Sequence, residues 1–337
     1  MKKNYIYKFI TFLLVFTICI LFIEFFLRLS GIKPWTDNTN NERSINLYDA
    51  KIGWKAKKGK HEMLTNKITR IKTIININDR GDRLSSKNDN SNNAGDILFF
   101  GGSFTQGWGL NDLETYPAKF QEKYSNYKIF NFGQAGYGST QSLLLLEEEI
   151  KNIKSPKLIV YGFMDHHFER NVARGEWLGV LLKYRSDGFK QKPKVPYATI
   201  DNNGELEIHE PLGYITLPLR KVSSTITTVE KIYMKQTTRH RKKIQEEVLN
   251  KIVKKMKNIS ELSGASFIVV NLSSNTKTSD SNLKKYFTKE KINYVDCRIL
   301  LKDKYLIPGE HHPTELAHTY YNDCLIKYIA KEKILLF

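Results

Sequence analysis

A short apolar stretch, residues 97–100, stops at two glycines, and Ser103 follows directly. The stretch has the length of a buried strand of a parallel sheet, and the glycines allow the chain to turn sharply where the strand ends. Ser103 would then lie at the carboxyl end of the strand and at the start of a helix, where open α/β sheets bind their ligands. Ser103 is therefore a candidate nucleophile, and a Gly-rich turn with a helix-capping serine is the alternative. A phosphate loop is disfavoured because Trp108 stands where such a loop has its lysine.

Two further segments contain the residue types that a serine nucleophile needs. Residues 131–140 follow the end of a second predicted strand and contain Gly136. Residues 310–313 have the sequence Glu-His-His-Pro just before the last predicted helix. A Ser, a Gly and an acid-x-His-Pro motif in this order resemble the motifs of the SGNH (GDSL-like) hydrolase family. The resemblance covers roughly residues 96–335.

The resemblance implies a role for each matched residue. Ser103 would be the nucleophile, and its backbone N–H together with that of Gly136 would form the oxyanion hole. His312 would be the general base. Glu310 stands where the family usually has an aspartate, and either carboxylate can orient an imidazole and stabilise its charged form. The family implies no cofactor and no metal ion.

The third motif of the family, Gly-x-Asn-Asp, is changed in this chain. Met164 occupies the position of the asparagine, whose side chain donates a hydrogen bond to the oxyanion. A thioether cannot donate, and losing one oxyanion donor typically costs about 3–4 kcal/mol of transition-state stabilisation. Either the activity is weak or another side chain replaces the donor. The candidates just downstream are His166 and His167, which lie nearest the strand end, then Arg170, and Asn171 as the reserve.

The N-terminal segment has the composition of a membrane anchor. No charged residue occurs from position 9 to position 23, and the apolar character continues to Leu29. About 20 residues of helix span the roughly 30 Å of a bilayer's hydrocarbon. Lys2, Lys3 and Lys8 precede the segment, which predicts a cytoplasmic N-terminus and an extracytoplasmic remainder. A cleaved signal peptide is the alternative, but the apolar region is long for one and no small-x-small site follows it.

The cysteines and the net charge fit an exported chain. Cys297 and Cys324 could pair in an oxidising compartment, where closing that loop would contribute roughly 3–4 kcal/mol. Two buried free thiols are the alternative, and Cys19 lies in the apolar segment. The net charge of +18 indicates solvated lysine-rich faces, or attraction to anionic lipid head groups or envelope polysaccharide. Export argues against nucleic acid as a partner.

The remainder of the chain alternates predicted strands and helices. The strands are residues 97–101, 128–132, 158–161, 266–272 and 292–296, and the helices are residues 116–124, 140–153, 239–262 and 315–331. This order predicts an α/β fold with a flavodoxin-like parallel sheet and helices on both faces. The predicted domains are the cytoplasmic N-terminus and anchor (1–30), a linker and small β lead-in (31–95), and the SGNH-like domain (96–337). Within the lead-in, residues 35–42 are predicted as a linker, 67–78 as β structure and 85–95 as a polar loop.

Residues 166–238 form an insert within that domain. The insert is too long for a structureless connection, so it should have its own structure. Residues 197–208 predict a β-hairpin with an Asn-Gly-type turn. The aromatic residues of the insert are Trp177, Tyr184, Phe189, Tyr197 and Tyr214. The insert leaves the sheet at the edge of Ser103 and Gly136, which favours a cap over the substrate site; a packing subdomain away from the chemistry is the alternative.

These features predict a membrane-anchored serine esterase with a Ser-His-Glu triad outside the cytoplasm. Its substrate would be an acylated small molecule or glycan, an O-acetyl ester of the cell envelope among them. One alternative is an SGNH-type O-acyltransferase that modifies an envelope glycan. Another is a catalytically weak or inert binding or assembly module on the same fold.

Overall fold

The structure is a computed structural model, and it describes residues 2–36, 45–64, 72–86, 94–182, 193–274 and 281–335. The helices in these ranges are α1 (Lys2–Leu29), α2 (Ser103–Gln106), α3 (Tyr116–Lys123), α4 (Ser139–Glu149), α5 (His166–Asn171), α6 (Gly175–Leu181), α7 (Ser224–Thr237), α8 (Gln245–Leu262), α9 (Ser281–Lys289) and α10 (Glu315–Glu332). The strands are β1 (Asn46–Asp49), β2 (Gly53–Ala56), β3 (Gly59–Leu64), β4 (Lys72–Ile77), β5 (Asp96–Gly101), β6 (Lys128–Asn131), β7 (Pro156–Phe163), β8 (Lys194–Ile200), β9 (Leu206–Gly213), β10 (Ser266–Asn271) and β11 (Asn293–Asp296).

Five parallel strands form the central sheet, in the order β11-β10-β7-β5-β6. Counted along the chain from β5, this is the 2-1-3-4-5 order of flavodoxin-like sheets. The predicted fold is therefore confirmed, and all five predicted strands are present. Gly101 pairs with Gly162 in the register, so β5 and β7 end side by side.

Side chains of β5 alternate between two apolar cores. Ile97 and Phe99 enter a core formed with α3 and α10, whereas Leu98 and Phe100 enter a core formed with α4 and α8. Burial on both faces explains why the strand has a continuous apolar sequence rather than an alternating one. The predicted helix over residues 239–262 is two elements, a 3-10 segment Arg239–Lys243 followed by α8.

Two antiparallel pairs, β1–β2 and β3–β4, precede the sheet. They lie within residues 31–95, the range of the predicted β lead-in. Residues 67–71 of the predicted β segment and 87–93 of the polar loop lie outside the described ranges. Of the predicted linker 35–42, Trp35 packs against the insert, with the Arg220 guanidinium 4.2 Å from its ring centroid. Residues 37–42 lie outside the described ranges.

The insert folds into α5, α6, the β8–β9 hairpin and α7. The predicted hairpin is present and is longer than expected, since its register begins at Lys194 and Gly213. The three helices were not predicted. Trp177 and Tyr214 are buried, whereas Tyr184 and Phe189 lie outside the described ranges.

The helix α1 is apolar and exposed. It contains an 18-residue stretch with a mean hydropathy of 2.7, and Asn4–Leu29 is the one segment of the described ranges that is long and apolar enough to cross a membrane. Near the other end of the chain, a disulfide joins Cys297 to Cys324 with the Cα atoms 5.8 Å apart, which ties the end of β11 to α10. Cys19 is free and exposed on α1.

Candidate active site

Ser103 is the first residue of α2, immediately after the turn that ends β5. Gly101 in that turn has a φ of +154°, and a side chain there would collide with Thr105 Oγ1 and the Gly162 carbonyl. Only glycine permits so close an approach of two strand ends and a helix. The turn leaves Ser103 5 % exposed at the carboxyl end of the sheet.

Arg83, a fully buried residue of the lead-in, fixes the other end of α2. Its guanidinium donates to the carbonyls of Gln106 and Gly107 at 2.8 and 2.7 Å and to that of Leu110 at 2.6 Å. Asp112 accepts from Arg83 Nε at 2.9 Å. Burial lowers the pKa of Arg83, and the charge of Asp112 acts in the opposite direction. The cation thus satisfies carbonyls that the short helix leaves without partners.

A glutamine of α2 holds the loop that follows β6. Gln106 Oε1 accepts from the Ala135 N–H at 3.0 Å, next to Gly136. In the described ranges, neither the Ser103 N–H nor the Gly136 N–H donates to an acceptor of the protein. Two backbone donors beside a nucleophile candidate are what an oxyanion hole requires.

Two tryptophans pack over Gly136. The residue has a φ of +84°, and a Cβ there would lie 2.9 Å from Trp54 Cζ2 and 3.6 Å from the ring of Trp177. Trp54 Nε1 donates to the Ala135 carbonyl at 3.2 Å. Trp177 belongs to α6, so the insert contacts this loop directly.

The loop before α10 brings His312 to α2. The Ile307 N–H donates to the His312 carbonyl at 2.9 Å, which closes the loop on itself. The imidazole then lies beside two aromatic rings that follow Ser103 in sequence. The distances from its ring centroid are 6.0 Å to that of Phe104 and 6.1 Å to that of Trp108.

Glu310 lies beside the same imidazole. Its Oε2 is 3.6 Å from His312 Nδ1, a buried atom that has no hydrogen-bond partner among the described residues. This distance is too long for a hydrogen bond, but catalytic contacts are often long before substrate binds. Among the described residues, no hydrogen bond joins Ser103 Oγ to the His312 ring. Ser103 thus begins α2, the ring of His312 lies beside that helix with Glu310 next to it, and Gln106 of α2 holds the loop of Gly136.

Three side chains, one from the changed third motif and two from the following helix α5, surround the residue before the serine. A Cβ built on Gly102 would lie 3.0 Å from His167 Nε2, 3.4 Å from Met164 Sδ and 3.5 Å from Arg170 Nη1. Met164 is thus in the predicted place, next to the nucleophile turn. His167 presents a ring nitrogen at the same place.

His167 is fully buried and belongs to a chain of hydrogen bonds. Its Nδ1 shares a bond of 2.6 Å with the Tyr161 hydroxyl, which is 2.5 Å from Ser139 Oγ. Its Nε2 has no hydrogen-bond partner among the described residues. Burial, and then the charges of Arg170 and His166, hold the pKa of His167 well below its usual range. The ring is therefore neutral, and one of its two nitrogens carries the proton.

Asn171 limits how the protons in this chain can be arranged. Its Oδ1 accepts from the Ser139 and Thr140 N–H groups at 2.6 and 3.2 Å, which leaves its Nδ2 to donate to Ser139 Oγ at 3.0 Å. If Ser139 donates to Tyr161 and Tyr161 donates to Nδ1, the proton of His167 is on Nε2, facing Gly102. If Tyr161 donates to Ser139 instead, Nε2 carries a lone pair. The amide of Asn171 is used at the start of α4, so the expectation that Asn171 could serve as a reserve oxyanion donor is wrong for this structure.

The other histidines lie elsewhere. The side chain of His166 is 63 % exposed, with Nδ1 3.7 Å from Glu169 Oε1, so the geometry favours His167 as the candidate donor. His311 is exposed. His318 is buried in α10 and accepts from the Tyr116 N–H at 3.0 Å, and burial lowers its pKa to about 3.

Sequence reasoning missed three residues that contact this region, Arg83, Gln106 and Trp54, and named Trp177 only among the aromatic residues of the insert. Arg83 gave no signal because it follows a polar turn and resembles a surface residue. Gln106 lies in the same short segment as Ser103, and its polar side chain before the next glycine was a usable signal.

No protein-family model and no curated protein matches the chain. Solved structures match with low identity. A member of the lipolytic protein G-D-S-L family from Veillonella parvula is 12 % identical, with a TM-score of 0.39 over 70 % of this chain and 98 % of its own. The psychrotrophic esterase EstA from Pseudoalteromonas sp. is 13 % identical, with a TM-score of 0.38 over 73 % of this chain and 99 % of its own. LAE5, an alpha/beta hydrolase enzyme from the metagenome of Lake Arreo, is 9 % identical, with a TM-score of 0.40 over 71 % and 96 %.

The G-D-S-L family named in the first of these matches is the family that the motifs around Ser103, Gly136 and His312 resemble. The strand order and the site geometry described above define the chain, independently of these matches, as a flavodoxin-like α/β protein with a serine at a strand end.

Proposed function

We propose that this chain is a membrane-anchored serine esterase that hydrolyses acyl esters outside the cytoplasm. The observation that supports the proposal is that the serine begins α2 and that the His312 imidazole lies beside Phe104, the next residue of that helix. Glu310 Oε2 is 3.6 Å from Nδ1 of the same imidazole. Nucleophilic acyl transfer uses a serine, an imidazole and a carboxylate arranged in this order.

In the first half of the reaction, Ser103 Oγ attacks the ester carbonyl carbon while His312 takes the hydroxyl proton. The bond from that carbon to the alcohol oxygen then breaks, and His312 gives its proton to the departing oxygen. In the second half, His312 takes a proton from water, whose oxygen adds to the acyl carbon. Ser103 then leaves with the proton, and the carboxylic acid is released. Glu310 orients the imidazole and stabilises its charged form.

Three donors would stabilise the oxyanion. The N–H groups of Ser103 and Gly136 have no protein acceptor in the described ranges. The third is Nε2–H of His167, in the proton arrangement where Tyr161 donates to Nδ1. A neutral imidazole would then replace the amide that Met164 cannot supply.

Two features support an anchored, extracytoplasmic enzyme. The segment Asn4–Leu29 is long and apolar enough to span a bilayer. The Cys297–Cys324 disulfide fits an oxidising compartment. The substrate class that suits this location is an acyl ester of the envelope, such as an O-acetyl group on a glycan.

The test uses the full chain in detergent micelles and a small acetyl ester. We expect the Ser103→Ala variant to lose at least about a hundredfold in kcat/KM, equivalent to about 2.7 kcal/mol. Ser263→Ala, at the end of α8, is the matched control and should keep full activity. Equal hydrolysis by the wild type and the Ser103→Ala variant would show that the triad assignment is wrong. Covalent labelling by a fluorophosphonate should require both Ser103 and His312. If the folded wild type is not labelled, the chain is an inert binding module instead.

A second candidate function is acyl transfer to a sugar hydroxyl. Trp54 and Trp177 pack over Gly136, and a site covered in this way admits less water to the acyl-enzyme. Mass spectrometry of surface glycan from a deletion strain separates the two functions. Additional acetyl groups indicate a missing esterase, and absent acetyl groups indicate a missing transferase.

A further inference from the structure

The end of α1 is joined to α7 by one carboxylate. Glu24 accepts hydrogen bonds from Ser223 Oγ at 2.8 Å, from the Ser224 and Thr225 N–H groups at 2.9 and 2.8 Å, and from Thr225 Oγ1 at 2.9 Å. A carboxylate at this position satisfies the free N–H groups of the first turn of α7. The N-terminal helix is therefore fastened to the insert.

Further bonds make this contact a rigid joint. Arg28 bonds Glu24 at 2.6 Å through Nε and donates to the Val222 carbonyl at 2.7 Å through Nη2. Beyond the end of α1, Ser224 Oγ donates to the Ile32 carbonyl at 2.8 Å. The chain that leaves α1 thus stays bonded to the start of α7.

The length of α1 places this joint at the membrane boundary. The apolar segment Asn4–Leu29 has 26 residues and would be about 39 Å long, against roughly 30 Å of bilayer hydrocarbon. The excess at the outer end contains Glu24 and Arg28, whose charges favour the head-group region. The residues at the start of α7 that are bonded to Glu24 and Arg28 must lie at the same depth in the bilayer.

The α7 helix has two faces of different character. Ser224, Thr227, Glu230 and Met234 are buried against the protein. On the other side an apolar stripe consists of Val222, Val229, Ile232 and Tyr233, all about half exposed or more. Ile232 and Tyr233 follow Val229 by three and four residues, so these three side chains share one face of α7, and Val222 precedes the helix next to its N-cap Ser223.

Leu219 adds a strained apolar residue next to the stripe. It is 68 % exposed and has a φ of +63°. A bulky side chain in the left-handed region is uncommon, and here the backbone displays it away from the protein. Exposed lysines occur near the stripe in the sequence, at positions 33, 221, 231 and 235.

We propose that the stripe and Leu219 lie in the outer interfacial layer of an anionic bilayer, with α7 parallel to the membrane. An apolar line flanked by lysines is the pattern of a helix that lies in a membrane surface. Such a pattern alone does not show where the helix lies relative to the bilayer. The joint through Glu24 does, because it fixes the depth of one end of α7 in the membrane. This inference rests on the membrane anchoring proposed above.

Spin labelling of the full chain in nanodiscs of phosphatidylcholine and phosphatidylglycerol tests the inference. Labels at Val222→Cys and Ile232→Cys, in a Cys19→Ser background, report the two ends of the stripe. Leu262→Cys, on a side chain 88 % exposed at the end of α8, is the control. The ratio of oxygen to nickel-chelate accessibility should be several-fold higher at 222 and 232 than at 262.

Each other outcome is decisive. Ratios at 222 and 232 equal to the ratio at 262 would overturn the inference. So would a lipid-like ratio at 222 alone, since α7 would then point away from the membrane. Protection from both reagents would show that a protein covers the stripe, a second copy included. A label on the native Cys19 in the wild-type chain tests the anchor separately: a water-like ratio there contradicts the anchoring, whereas a lipid-like ratio leaves the outcome at 222 and 232 to decide this inference alone.

Discussion

His167 Nε2 lies against Gly102, 3.0 Å from the point where a Cβ of that residue would be. The residue that directly precedes Ser103 is thus in contact with a buried imidazole nitrogen that has no partner in the described ranges. Where the motif has lost an amide donor at Met164, the fold supplies another group that can donate.

The first prediction concerns that nitrogen. His167→Ala should lower kcat/KM for a small ester by about tenfold or more, with KM little changed, which corresponds to about 1.4 kcal/mol or more of transition-state stabilisation. The exposed neighbour gives the matched control, and His166→Ala should stay within about twofold of wild type. Tyr161→Phe removes the hydroxyl that orders the proton on His167, so it should lose part of the same activity at unchanged thermal midpoint. Wild-type rates in all three variants would contradict this role of His167. The oxyanion would then have only the two backbone N–H donors.

A second prediction concerns Gly136. Gly136→Ala should lower activity by about tenfold or more, because the methyl group meets Trp54 at 2.9 Å and the backbone has a φ of +84°. Gly204→Ala is the control, since Gly204 has a similar φ of +77° but nothing within 4 Å. Denaturant unfolding should show the backbone strain in both variants and an added cost in Gly136→Ala alone, whose methyl group meets Trp54. Equal activity of the two variants would place the oxyanion hole elsewhere.

The third prediction concerns the buried cation below α2. Arg83→Ala should lower the free energy of unfolding by about 3–5 kcal/mol, because Asp112 and several carbonyls lose their partner inside the protein. Arg80→Ala, which removes an exposed arginine that donates to the Asn152 carbonyl and lies 5.5 Å from the Phe130 ring centroid, should cost less than about 1 kcal/mol. Urea unfolding followed by tryptophan fluorescence measures both. A cost for Arg83 no larger than that for Arg80 would contradict the role assigned to this cation.

The fourth prediction concerns acid stability. Burial, followed by the charges of Arg83, Lys119 and His312, lowers the pKa of His318 from 6.5 to about 3. The unfolded chain therefore binds a proton that the folded chain does not between these two pH values, and stability falls as pH falls through this window. His318 alone should contribute a slope of about 1.4 kcal/mol per pH unit.

Replacement of His318 isolates this contribution. His318→Asn keeps an acceptor for the Tyr116 N–H but no titrating group, so the variant should lose less stability than wild type between pH 6 and pH 4. Identical pH dependence of the two proteins would show that His318 is protonated in the folded state.

The elements that could be predicted are those that a local or repeating pattern of residue types specifies. Residues 97–100 predict β5 because a strand covered on both faces needs an unbroken apolar sequence. The helix α7 was missed because its Ser-Thr-rich start has little helix propensity of its own. Its first turn is capped by the local residue Ser223, whose Oγ accepts from the Ile226 N–H, and also by Glu24, about two hundred positions earlier in the chain, which no local pattern contains.

The site shows the same division. Ser103, Gly136 and His312 follow from motifs at strand ends. Arg83, Trp54 and Trp177 act through contacts between distant segments, so their roles depend on the fold itself. His167 was one of two adjacent candidates, and only the helical position of α5 separates the buried ring from the exposed one.

The close approach of α6 to α7 has a kinetic consequence. A side chain at Gly175 would collide with the Met234 carbonyl, and the Gly175 N–H donates to Thr238 Oγ1 at 2.8 Å. The helix that holds Trp177 over Gly136 is thus packed backbone to backbone on the helix that is fastened to α1. In an anchored chain, these contacts would hold the loop of Gly136 at a fixed distance from the bilayer. It would meet its esters by lateral diffusion in the plane of the bilayer, and only acyl groups that reach that one layer would be turned over.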